Sequence, residues 1–320
     1  MSYRTPSKAS CLAALVLAAS SLHGQWVKID TFDDGETSAS MVVTQKPGDP
    51  DGDVYVVDDP SSASNDVLYP WAGATINNNI NVSWSLPEPI ADGETGTLYF
   101  RYYMSGLDVS CSIGVHSTPG AEVTGWGAYK SMLRLPGAIR DGSFEVRDSG
   151  NYYTTNHVSQ TGVWYEVWLV VDNANDLSRC YIRGGQHTEV TEIVFDKTDG
   201  TTSATDFLFR GGATDAPMTT ATVVIGSGDT AQGYYGTDFL FLDDLYLASG
   251  EVLCAPGEDC ASANTWAGWT IDGDGNVDTG DFMQWLYIDG DWVWSYRLNK
   301  WVYLPENFVQ ETGAWTWVTR

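Results

Sequence analysis

Thr161 to Gly185, TGVWYEVWLVVDNANDLSRCYIRGG, decides how the fold is read. Its first part, Trp164 to Val171, is a run of large residues with a period of two. Tyr165, Val167, Leu169 and Val171 fall on one side, and Trp164, Glu166, Trp168 and Val170 on the other. Asp172-Asn173-Ala174-Asn175-Asp176 follows, short polar side chains that bond the nearby backbone in turns. A second extended run, Ser178 to Arg183, stops at Gly184-Gly185. The stretch predicts a β-hairpin buried on at least one face.

The same alternation recurs on both sides of it. Residues 26–32 read as a first strand, ended by Asp33-Asp34-Gly35-Glu36. Residues 45–66, rich in Pro, Gly, Asp and Ser, read as loop around one strand at 54–57. Further strands are expected at 80–86, 97–104, 110–116 and 131–135, then at 144–147 paired with 152–156 across Asp148-Ser149-Gly150. After the hairpin come 192–195, 206–210, 222–225 and a closing strand, Phe239 to Leu247. No long stretch has a helical period. Many short strands separated by Gly/Asp turns predict an all-β, two-sheet sandwich.

A Trp, a Val-rich strand, an Asp/Asn turn and a strand ending in Gly resemble the central hairpin of laminin-G-like and concanavalin A-like jelly rolls. Phe239-Leu240-Phe241-Leu242-Asp243-Asp244-Leu245-Tyr246-Leu247 resembles the closing strand of such domains, which often carries an Asp pair. The resemblance implies a jelly roll over residues 25–250, with first and last strands as neighbours. It leaves activity open, because this fold hosts lectins, hydrolases, lyases and adhesion modules.

Residues 1–24 read as a secretory signal. Arg4 and Lys8 precede a short apolar core, CLAALVLAA from Cys11, and small residues lie before Gly24. The apolar run is too short to span a bilayer, which takes about 20 residues. Export makes the remaining cysteines interpretable. Cys254 and Cys260 are expected to close a small disulfide loop; Cys111 and Cys180 either pair across the domain or stay as two buried thiols. The formal charge of the 320-residue chain is −26, and removal of the signal takes away two bases and no acid. Such a chain repels nucleic acid and anionic lipid. It also disfavours a sulfated or uronate-rich glycan, unless a local basic patch or a bound cation compensates.

Residues 251–265 read as a Cys-bounded linker, and the composition then changes. Eight of the 14 Trp lie between Trp266 and Trp317. Trp292 to Tyr296, Trp301 to Tyr303 and Trp315 to Trp317 alternate like three strands of a small antiparallel unit. Residues 266–320 resemble Trp-rich C-terminal modules of secreted bacterial polysaccharide-processing proteins. The aromatics there are either a binding platform or a mini-core.

Two carboxylates at Glu-x-Asp-x-x-Glu spacing, which would place acid and nucleophile on one strand face, do not occur, so retaining hydrolysis is disfavoured. A jelly-roll lyase needs a Tyr or His base and Arg, Gln or Asn beside the uronate. Arg101, Tyr103, His116, Arg134, Arg140, Arg147, Tyr153 and His157 are its raw material, but the Arg-x-Glu-x-Arg and Gln-x-His strings of alginate lyases are absent. Sugar binding requires less: aromatic faces for C–H surfaces and a few polar groups for hydroxyls. The glycan-binding candidates are Trp126 and Tyr129 in the loop AEVTGWGAYK, Arg134, and Trp168 with Arg147 and Tyr153, which are expected to line a shared concave face.

The resemblance further implies a structural calcium between Asp33 or Asp34 near the first strand and Asp243 or Asp244 in the last, with Asp33 and Asp243 as the candidates. Residues 270–281, TIDGDGNVDTGD, resemble an EF-hand or dockerin loop with Asp272, Asp274, Asp278 and Asp281 as ligands, departing at the first position where Thr270 stands. The expectation is therefore a secreted, non-catalytic protein that binds an extracellular polysaccharide or a cell-surface glycan. The alternatives are a polysaccharide-degrading enzyme, a lyase before a hydrolase, and a structural envelope protein.

Overall fold

The computed structural model describes residues 26–45, 52–73, 79–135, 141–197, 203–226 and 238–258. It also describes 265–266, 269–270, 276–280, 283–289, 292–304, 309–310, 313–314 and 317–318. The expected signal, residues 1–24, lies outside the described residues, as do Arg140, Cys260, Asp272, Asp274 and Asp281.

Sixteen strands precede the tail: β1 Val27–Asp30, β2 Met41–Gln45, β3 Asp53–Asp59, β4 Ser62–Trp71, β5 Asn79–Ile90, β6 Thr95–Met104, β7 Ser110–His116 and β8 Ser131–Leu135. They continue with β9 Ser143–Asp148, β10 Asn151–Val158, β11 Trp164–Asp172, β12 Leu177–Gly184, β13 His187–Glu192, β14 Phe207–Leu208, β15 Met218–Gly226 and β16 Leu240–Ser249. They form two antiparallel sheets. One has nine strands, ordered β13-β12-β11-β6-β16-β4-β3, with β1 on β16 and β14 on β12. The other has seven, ordered β10-β9-β8-β7-β15-β5-β2. The molecule is thus the expected all-β, two-sheet jelly-roll sandwich, joined to a small aromatic-rich antiparallel sheet.

Period-two alternation fixes what lies between the sheets, since a slip of one residue would turn every side chain outward. Tyr165, Val167, Leu169 and Val171 of β11 point inward with Leu98, Phe100 and Tyr102 of β6. From the facing sheet come Val82 and Trp84, Ile113 and Val115, and Val223. The opening hairpin forms in the register that its turn dictates, with Glu166 opposite Arg183 and Asp172 opposite Leu177. Its end needs glycine. Gly184 has φ 129°, and a Cβ there would stand 2.5 Å from the Trp164 carbonyl oxygen.

The hairpin is buried on both faces. Trp168 and Val170 of β11 lie on the outer face of the nine-stranded sheet, together with Tyr99, Tyr181 and Ala255. The residues that cover them belong to the expected linker. The Trp168 indole N–H donates to the Cys254 carbonyl at 3.0 Å, and the Tyr181 hydroxyl to Glu251 at 3.0 Å. Arg179 pairs with Glu251 at 2.6 Å and Arg183 with Glu258 at 2.7 Å. Residues 251–258 are a strap seated on the sheet.

Cys111 and Cys180 are free and buried, so the cross-domain disulfide is not formed. Burial in the apolar interior pushes both thiols up. Cys254 is disulfide-bonded, and its partner lies outside the described residues.

In the tail, Asn276–Asp278, Trp285–Asp289, Trp292–Ser295, Lys300–Tyr303 and Trp317–Val318 form a five-stranded sheet. Its core is aliphatic: Val277, Leu286, Val293, Val302 and Leu304. The aromatics take the alternate positions. Trp285 is 50% exposed, Trp292 41% and Trp301 37%, which decides that they face outward and that the mini-core is not theirs.

Candidate ligand-binding face

The outer face of the seven-stranded sheet carries Trp126, Arg134 and Arg147, with Tyr129 beneath its covering loop. Residues 117–130, which include two short 3-10 turns, cross its centre. Tyr129 is fully buried there, its hydroxyl within bonding distance of the Ser112 and Thr222 carbonyls at 3.1 and 3.0 Å. Thr44 bonds the Val123 carbonyl at 2.6 Å. His116 is sealed beneath, with Nε2 2.8 Å from Thr222 Oγ1 and with Nδ1 accepting the Thr118 N–H at 3.2 Å. Burial pulls its pKa down to about 4, so it stays a neutral imidazole. The trough is therefore plugged over its middle by its own loop, and Tyr129, buried beneath it, presents no surface to a ligand.

The remainder of the face is open. Trp126 stays half-buried at the edge of the covering loop, its indole N–H donating to Ser112 Oγ at 3.0 Å. Ser112 lies opposite Arg134 on β8, and Arg134 opposite Glu145 on β9. Arg147, two residues on, lies opposite Tyr152 on β10. All of these side chains share the outer face because they alternate with the inward Leu133, Phe144 and Val146.

Tyr152 organises the cluster. The Arg134 guanidinium lies over its ring at 3.9 Å and the Arg147 guanidinium at 4.3 Å, each held by the negative face of the π system. Arg134 is neutralised by Glu145 at 3.0 Å. A third guanidinium comes from Arg210, past the end of β14, whose backbone N–H donates to the Lys130 carbonyl at 2.8 Å and so ties it to the covering loop. Burial, then the neighbouring Arg147 charge, push the Arg210 pKa down. Nε of Arg147 and Nη1 of Arg210 are both buried without a hydrogen-bond partner among the described residues. An unmet buried donor costs about 1–3 kcal/mol, so native structures seldom leave one without a reason.

Of the six glycan-binding candidates, Trp126, Arg134 and Arg147 come together here. The other three do not. Tyr129 is under the loop. Tyr153 points inward against Phe195, with ring centroids 5.7 Å apart. Trp168 is fully buried under the strap on the opposite sheet, so the shared concave face with Arg147 and Tyr153 does not exist. Tyr152 and Arg210 belong to the cluster and were not candidates. Tyr152 was within reach of the sequence: a turn at Asp148-Ser149-Gly150 pairs Asn151 with Asp148, and the next rung is Arg147 with Tyr152. Nothing in the sequence around Arg210 points to its place.

The raw material for a lyase is dispersed. Arg101 is on the other sheet, His116 is under the loop and His157 is in the interior, 2.9 Å from His187. Arg101 pairs with Asp244 at 2.9 Å and Asp243 at 3.4 Å and lies over the Trp164 ring at 4.7 Å. Neighbouring strand residues normally point to opposite faces. A bulge between Asp243 and Tyr246, with Asp244 at φ 54°, lets consecutive acids meet one guanidinium.

Burial, with the Asp244 charge adding to it, raises the Asp243 pKa to about 7. β1 does pair with β16, as the resemblance implied, but Asp33 is exposed, and the counter-charge facing Asp243 is the guanidinium. Among the described residues no three His, Cys, Asp or Glu side chains converge on a metal position. Of the four acids expected as ligands in the tail loop only Asp278 is described, and its carboxylate accepts the Gly280 N–H at 2.9 Å.

No protein-family model matches the chain, and no curated protein does. Solved structures similar to it include the Lotus tetragonolobus seed lectin, at 8% identity and TM-score 0.40, with 70% of this chain and 98% of that chain covered. Lectin I-B4 from Griffonia simplicifolia, in a metal-free form, aligns at 6% identity and TM-score 0.43, covering 71% of this chain and 100% of that one. Lectin II from Ulex europaeus aligns at 9% identity and TM-score 0.40, covering 71% and 99%. At these values the likeness assigns no residue and no ligand to this chain.

Proposed function

We propose that this chain is an exported, non-catalytic carbohydrate-binding protein. Its glycan lies on the open part of the seven-stranded sheet's outer face, along Trp126 and the arginines held by Tyr152. The observation that carries the reading is that juxtaposition: a half-buried indole beside guanidinium groups fixed in place by a tyrosine ring. Aromatic surface takes sugar C–H faces, while fixed donors take ring and hydroxyl oxygens.

Tyr152 and Arg134 are already engaged by their neighbours on this face. Tyr152 Oη lies 3.8 Å from the Met132 sulfur, and Arg134 is ion-paired to the nearest carboxylate, Glu145. Export by the 1–24 signal, a Cys254–Cys260 loop and a division into 25–250 and 266–320 belong to the same proposal. So does calcium, in the tail loop or at Asp33 and Asp243, which would show as a melting temperature that falls on chelation.

The test is retention of the mature protein on immobilised polysaccharides, with Trp126→Ala as the variant. Lower retention at unchanged melting temperature supports the reading. Retention that is identical in the variant removes this face as the binding site.

A further inference from the structure

We propose that this face recognises an acidic saccharide, whose carboxylate or sulfate is received between Arg147 and Arg210 while Trp126 carries an adjoining sugar ring. The inference rests on the carbohydrate reading above and names its ligand class.

The argument begins with scarcity. The chain has 16 Lys and Arg against 42 Asp and Glu, and three of those few bases meet on one patch with Glu145 as their ion-paired acid. Arg134 is the one that Glu145 satisfies. Among the described residues Arg147 and Arg210 form no ion pair, and each buries a guanidinium N–H that none of them accepts. Like charges brought together and desolvated are unfavourable unless an anion joins them.

The Tyr152 ring holds the guanidinium of Arg147 by its face, but a ring face does not replace an in-plane acceptor for Nε–H. What these groups lack is negative charge carried on two or three closely spaced oxygens. Carboxylate and sulfate both supply it, and a guanidinium engages either through parallel N–H donors. The strong overall negative charge disfavours polyanions in general. This local excess of positive charge is the compensating patch that would let one acidic sugar be selected from among neutral ones.

The test is calorimetric titration of the full chain with four probes: oligogalacturonate, a sulfated galactan oligosaccharide, a neutral galactan oligosaccharide and inorganic sulfate. The variants are Arg147→Gln, Arg210→Gln and Trp126→Ala. The expected result is tighter binding of one acidic oligosaccharide than of the neutral one, with the better of the uronate and sulfate arms identifying the anion. Each arginine variant weakens that binding by at least about tenfold, the scale of a lost charged hydrogen bond. The neutral probe changes little in either. Both variants keep or raise the melting temperature, because a crowded charge has been removed. Inorganic sulfate alone binds more weakly than the acidic oligosaccharide.

Three outcomes overturn the inference. The first is acidic and neutral probes bound equally and insensitive to Arg147→Gln, which leaves the carbohydrate reading standing. The second is acidic binding that survives both arginine variants. The third is no binding of any oligosaccharide, which removes the carbohydrate reading as well.

Discussion

Protonation of His157 is the perturbation with the most definite consequence. Its ring is fully buried at the end of the sandwich. Nδ1 lies 2.9 Å from His187 Nε2, Nε2 lies 3.2 Å from Ser159 Oγ, and the ring is edge-on to Tyr165 at 5.1 Å. Burial, then the neighbouring His187, pull the pKa from 6.5 to about 3. Below pH 6.5 the unfolded chain binds a proton at this site and the folded chain does not. Stability therefore falls as pH drops from 6.5 toward 3, at about 1.4 kcal/mol per pH unit. Between pH 8 and pH 5 this site alone removes about 2 kcal/mol.

His116, with its pKa at about 4, removes a similar amount over the same interval. Urea unfolding at pH 8 and pH 5 measures the loss in the parent, in His157→Gln, in His116→Gln and in the double variant. Each single variant is expected to be less stable at pH 8, since it loses packing, but to lose about 2 kcal/mol less on acidification. The double variant should recover both increments. A pH dependence in His157→Gln as steep as in the parent would refute the reasoning, because the imidazole would then not be the group excluded from the proton.

Trp168→Ala removes the largest side chain under the strap and is expected to cost about 3–5 kcal/mol in urea unfolding, with glycan retention per folded molecule unchanged. Lower retention would return Trp168 to the binding face. Cys111 and Cys180 are expected to resist an aromatic disulfide reagent in the native protein and to react at once in denaturant; rapid native labelling would contradict their burial. In the tail, Val293→Asp is expected to abolish protease resistance of the five-stranded sheet, whereas Trp292→Ser leaves it intact, because one side chain is core and the other is surface. Equal loss in both would restore the aromatic mini-core.

The hairpin at Thr161–Gly185 was legible because it carries two independent signals, period-two alternation and turn chemistry, and tertiary structure reinforces both. Ser110–His116 and Ser131–Leu135 were legible to the residue for the same reason. Ser62–Trp71 was not. Its first half, Ser62 to Asp66, read as loop and its second half carried no strand reading, yet it forms a ten-residue strand because β3 and β16 supply its partners.

The site failed at the level of facing. Composition picked the loop and the strands on which the proposed site lies. Choosing Tyr153 over Tyr152 missed by one position, and one position on a strand is the whole thickness of the sheet. Trp168 failed for a different reason. Alternation placed it correctly on the outward side of β11, but no local pattern announces that a later segment returns to cover it.

That returning segment has a mechanical consequence. The chain leaves the sandwich through β16, a strand flanked by β6 and β4 inside the sheet, and residues 251–258 then lie flat across β11 and β12. Tension applied to anything downstream would first detach Glu258 from Arg183, then the Cys254 carbonyl from the indole, then Glu251 from Arg179, one small rupture after another. Only afterwards would load reach the strand whose removal splits the sheet. The sandwich carries its own sacrificial layer at the point where the tail is attached, and a chain shortened to Gly250 would begin life with that layer already torn off.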